Sequence, residues 1–123
     1  MNYGELKQQV ADWAHRSDAS YLAQMDNFKD AVEERLRERT GYQVVRLILN
    51  SDTNDVLTNN QLVYIYGMLE EGALYTQDGE SAATYREKWN DTVNRLNITE
   101  NATNWAGSTP PGKVAPYIPP EVG

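Results

Sequence analysis

His15 is the only histidine in the chain, and it follows Asp12 by three residues, a spacing that puts both on one helix face. An enzyme needs a convergent set of nucleophile, base and stabilising groups, and few residues here offer themselves for those roles. A histidine near the end of a helix more simply compensates the helix dipole or lies at the surface, and that is the expectation for His15. Glu70 and Glu71 resemble a general acid and base, but adjacent helical residues point about 100° apart and do not converge, so a solvated edge is expected for them. Asp52, Asn54 and Asp55 have the side chains of a calcium loop without its glycine or its closing glutamate. Asn90, Asn97 and Asn101 each head an Asn-x-Thr triplet, which carries meaning only behind a secretory signal, and the first residues do not read as one. There is no cysteine, so disulfides, thiolate ligands and thiol nucleophiles are excluded together. No phosphate-binding glycine loop occurs, and neither a catalytic residue, a metal ligand nor a cofactor is expected.

The elements around these residues divide the chain in two. All five prolines lie between Pro110 and Pro120, so a proline-free front is free to be helical, whereas the end from about Ile98 is expected to be extended. Leu6, Val10 and Trp13 make one face of a first helix from Asn2 to about His15. Leu22, Met25, Phe28, Val32 and Leu36 form the stripe of a second helical region, with a break near Met25–Asn27 and a left-handed cap at Gly41. Its charged residues, among them Lys29, Glu33, Glu34, Arg37 and Glu38, are expected on a solvated face. Tyr42 to Leu49 is rich in β-formers and reads either as a short extended piece or as a buried connector. Asn50–Asn60 is loop chemistry with several possible helix caps, Thr58 among them.

Leu62, Ile65, Leu69 and Ala73 then mark a central helix to about Tyr75, apolar on more than one side. Within it Gly67 and Gly72 would admit another backbone closely. After a turn at Gln77–Gly79, Ala82, Tyr85, Trp89, Val93 and Leu96 stripe a last helix, giving a helical hairpin. The eight tyrosines suit either an interface or a core with a single phenylalanine. The expected fold is therefore all-α: a bundle of four to five helices over residues 1–97, with room for a short β segment near 43–49, and an extended proline-rich arm over 98–123.

A net charge of −7 with scattered Lys and Arg argues against gripping nucleic acid through phosphates, and no apolar run approaches the ~20 residues of a membrane helix. The arm, about 25 residues long, would reach on the order of 80 Å if polyproline-like. Trp105, Val114, Tyr117 and Ile118 are its candidate anchors.

Two stretches resemble the helical head–tail adaptor, or connector, proteins of tailed bacteriophages. One is Met1-Asn2-Tyr3-Gly4-Glu5-Leu6-Lys7 through Val10-Ala11-Asp12-Trp13 and His15-Arg16, followed by Phe28 and Ala31-Val32-Glu33-Glu34-Arg35-Leu36. The other is Tyr66-Gly67-Met68-Leu69-Glu70-Glu71-Gly72-Ala73-Leu74-Tyr75 with Tyr85 to Leu96, similar to that family's closing hairpin. The likeness covers about the first 97 residues. The stretch Gly41–Thr58 is shorter than the strand-containing insert of many relatives, and the tail has no residue-by-residue counterpart. The resemblance implies a virion protein made in the bacterial cytoplasm. It would assemble as a ring, usually a dodecamer, with neighbouring adaptor subunits, the portal protein and a downstream tail protein as partners. Viral DNA would pass through the channel without specific binding, and Asp52, Asp55, Glu70 and Glu71 are the candidates to line it. The rival expectation is a helical interaction or regulatory module that uses Pro110-Pro111 or Pro119-Pro120 as a peptide motif.

Overall fold

The computed structural model describes the backbone of residues 1–107 and the side chains of residues 1–96. The chain divides into two compact units, Met1–Val93 and Asn94–Gly123. In the first, α1 (Tyr3–Ala14), α3 (Met25–Thr40) and α5 (Gln61–Tyr75) are long, and α2 (Ala19–Leu22) and α4 (Asp55–Asn59) are short. A final helix, α6, begins at Gly79 and is continuous to Gly107, so its last part belongs to the second unit. No strand occurs among the described residues, and the fold is all-helical.

Local chemistry explains the helix ends. Asn2 and Glu5 close a reciprocal capping box at the start of α1, each side chain taking the other's backbone N–H at 2.9 Å. Asp18 and Asn54 cap α2 and α4, and Asp78 accepts from the Ser81 N–H at the start of α6. Gly41 ends α3 at φ 72°, the left-handed conformation expected of it. His15 adopts the same conformation at φ 55°, and Gln77 at φ 62° makes the turn of the α5–α6 hairpin.

The centre of the bundle is α5, against which α1, α3 and α4 all pack. Val63, Tyr64, Ile65, Met68 and Leu69 are buried on it, which is why it is apolar on several sides. Leu6 and Val10 meet it from α1, and Met25, Phe28, Val32 and Leu36 complete the core from α3. Each such side chain contributes roughly 1.5–3 kcal/mol on burial. The two α5 glycines admit side chains rather than the second backbone expected of them. A Cβ on Gly67 would come within 2.6 Å of Val32 Cγ2, and one on Gly72 would collide with the Tyr21 hydroxyl.

Four expectations need correction. The β-forming run 43–49 is irregular, because the described chain offers it no second strand to pair with. Asp55–Asn59 is helical rather than loop, since the Asn54 side chain bonds the Leu57 N–H at 2.8 Å and Val56 and Leu57 are buried. Residues 98–107 continue α6 instead of beginning an extended arm; the first proline comes only at Pro110. Lys29 and Glu33 are buried inside α3's packed face rather than solvated.

Candidate functional site

Three features of the first unit combine position with chemistry. The first is the segment after α3. Val45, Ile48 and Leu49 are 69%, 72% and 64% exposed, three large apolar side chains within five residues, with Arg46 among them. Such a segment would normally fold inward, but its backbone is fastened from beneath. Leu47 is buried, and its N–H donates to Glu33 Oε2 at 3.0 Å. The Asp52 carboxylate accepts from the Ile48 and Leu49 N–H groups at 2.8 and 2.7 Å, which lowers its pKa. Arg37 donates to the Val44 carbonyl, and Asn54 Nδ2 to the Val45 carbonyl. At the far end, Tyr3 and Gly4 of α1 donate to the carbonyls of Asp52 and Asn50.

Glu33 is the keystone of this arrangement. Its carboxylate is fully buried and accepts from Leu47 N–H, from the Tyr64 hydroxyl at 2.9 Å and from Lys29 Nζ at 3.3 Å. Tyr64 in turn accepts from Asn54 Nδ2, so α3, α5, the loop and the α4 cap form one hydrogen-bonded chain. Burial and the neighbouring carboxylate push the Tyr64 phenol well above its ordinary pKa, keeping it a donor. Lys29 also pairs with Asp30 at 2.6 Å.

The second feature joins α3, α5 and α6. Glu70, also fully buried, accepts from Arg35 Nη1 at 2.9 Å and Arg86 Nε at 2.8 Å. Arg35 lies 4.4 Å over the Trp89 ring and 3.7 Å from the Glu71 carboxylate. Glu71 is half-buried, and its pKa is raised because desolvation outweighs the attraction of Arg35.

The third is an open cleft of about 290 Å³ where the end of α1, α2, the end of α5 and the start of α6 meet. Trp13, Tyr21 and Tyr85 give it aromatic walls, and His15, Asp78 and Ser81 lie around it. Tyr21 is 2% exposed, and its hydroxyl, seated over Gly72, has no hydrogen-bond partner among the described residues.

The residues singled out from sequence separate accordingly. Asp12 is engaged by Gln8 at 2.9 Å, and His15 holds a left-handed cap at the cleft. Glu70 is a correction: it is enclosed between two arginines and is neither a solvated edge nor a free charge that could line a channel. Asp52 is occupied by loop amides, and Asp55 is exposed at the first position of α4. The Asn90 side chain accepts from Arg39 at 2.8 Å. Trp105 lies on the α6 backbone with its side chain outside the described residues, as are Val114, Tyr117 and Ile118 entirely. No group of three or more metal-binding side chains occurs among the described residues, and no described helix is long and apolar enough to cross a membrane. Sequence reading named Lys29, Glu33 and Glu70 but placed all three at the surface, whereas they are buried. A signal was present, because Lys29 and Glu33 interleave with Met25, Phe28, Val32 and Leu36 at spacings of three and four, on the buried stripe itself.

No family model, curated protein or solved structure matches this chain.

Proposed function

We propose that this chain is a non-enzymatic structural subunit of a tailed bacteriophage: a head-to-tail adaptor in a ring below the portal, bound to neighbouring copies, the portal protein and a downstream tail protein. The observation that carries this reading is the pinned apolar loop. Three exposed apolar side chains on a backbone held by Glu33, Asp52, Asn54 and Arg37 form a pre-ordered contact surface, so little ordering entropy is lost when a partner covers it. Buried glutamates that brace packing, rather than converge on a substrate, suit a load-bearing part. The likeness of residues 1–36 and 66–96 to adaptor proteins supplies the partner. The protein would then reside at the head–tail interface of the virion after synthesis in the bacterial cytoplasm. Exposed Asp55, with the overall charge of −7, would help viral DNA pass the channel without sticking.

Negative-stain microscopy and mass determination of the protein mixed with a cognate portal ring test the proposal. Added ring density under the portal is the expected result, lost in Ile48→Asp with helicity unchanged. Absence of association, with a stable monomer or dimer throughout, favours the rival reading, a helical interaction module that uses its proline-rich end.

A further inference from the structure

The cleft between α1, α2, α5 and α6 is built for an occupant. Its floor carries the hydroxyl of Tyr21, a residue only 2% exposed; that hydroxyl bonds to no described residue and is not sealed from solvent, so it can donate into the cleft. The Gly72 position keeps that hydroxyl in place, because any larger residue there would strike it. The walls are aromatic: Trp13, 40% exposed and edge-on to Tyr66 at 5.9 Å, and Tyr85, half-buried. Flat aromatic faces beside a hydroxyl donor form the surface that receives polyproline segments, where proline rings stack on the aromatics and a backbone carbonyl takes the donor's hydrogen bond.

The chain itself supplies such a segment. Pro110-Pro111 and Pro116-Tyr117-Ile118-Pro119-Pro120 lie in its last residues, and proline fixes φ near the polyproline value before any binding occurs. We infer that the cleft of one copy receives the proline-bearing end, Pro110–Pro120, of a second copy, with the Tyr21 hydroxyl donating to a carbonyl of that segment. The choice of a second copy rests on the ring assembly proposed above. One cleft and one arm per chain make a head-to-tail pair, the kind of contact that closes into rings.

The absence of native cysteine allows a clean test on the full chain. Ser81→Cys places a thiol in the cleft and Ala115→Cys one beside Pro116. Oxidation of the double variant should give disulfide-linked dimers and longer ladders at least ten times faster than Asn59→Cys with Ala115→Cys, whose first thiol sits on exposed α4 away from the cleft. Adding Pro116→Ala, Pro119→Ala and Pro120→Ala should remove that advantage while far-UV circular dichroism stays unchanged. Equal rates for the two cysteine pairs, links confined to single chains, or indifference to the prolines would each overturn the inference. Portal association, read separately by microscopy, would still report on the adaptor role.

Discussion

The bundle contains two fully buried glutamates on neighbouring helices, and they hold different things. Glu33 on α3 spends its carboxylate on a loop amide, a tyrosine hydroxyl and a buried ammonium, whereas Glu70 on α5 spends its own on two arginines. The side chain of Arg86 is 61% exposed and can turn to water if Glu70 is lost; buried Lys29 would keep only Asp30, and the buried Leu47 amide has no other acceptor among the described residues. The contrast teaches that burial of the acid alone does not set its importance. What matters is whether its partners have anywhere else to go. Glu33 fixes a segment without secondary structure of its own, and Glu70 staples helices that already pack.

Glu33→Ala should have the largest effect, destabilising the fold by about 3–5 kcal/mol in urea denaturation, because it leaves the Leu47 amide and the Tyr64 phenol without their acceptor and takes from buried Lys29 one of its two carboxylates. It should also release the loop, seen as faster hydrogen exchange at Leu47. Glu70→Gln should cost less, about 1–3 kcal/mol, and leave exchange at Leu47 unchanged. An equal or larger cost for Glu70→Gln would erase the distinction. Tyr64→Phe removes a single bond from Glu33 and should cost about 1 kcal/mol. Arg86→Ala, acting on an exposed partner, should have the smallest effect of the four on the urea midpoint.

Acid sharpens the same comparison. The pKa of Asp52 at the loop and of Asp78 at the α6 cap are both lowered by the bonds they accept in the folded chain. Their stabilisation is complete above the unfolded carboxylate value and is lost as pH falls through their depressed values. Glu71 runs oppositely, since its raised pKa means that protonation relieves a cost of burial. Urea midpoints should therefore drop as pH falls below about 4, and less steeply in Asp52→Asn than in the parent chain.

The helices were legible wherever apolar residues recurred at spacings of three and four, as in Leu6 and Val10 or Met25, Phe28, Val32 and Leu36. Charged residues on that same stripe were not, because Lys29 and Glu33 also form an ordinary i,i+4 surface pair, and only the loop folding over them turns that pair inward. Residues 43–49 were misleading for the opposite reason: β-propensity describes a fit to a neighbouring strand, and the described chain has none. Thr and Asn in residues 98–107 are weak helix formers, so the continuation of α6 had no local signal. The cleft was invisible because its walls come from four elements that are separate in sequence.

The ties between α1 and the loop impose an order on synthesis. Tyr3 and Gly4 find their carbonyl partners at Asp52 and Asn50, and the Met1 carbonyl accepts from the Thr53 hydroxyl. On a ribosome, the first helix emerges long before those partners exist. At roughly 5–20 residues per second, it waits several seconds for them. Through that interval its apolar face is uncovered, and α5, which closes the core, is made later still. A helix translated before its partners is therefore secured only after them, by residues about fifty positions further along.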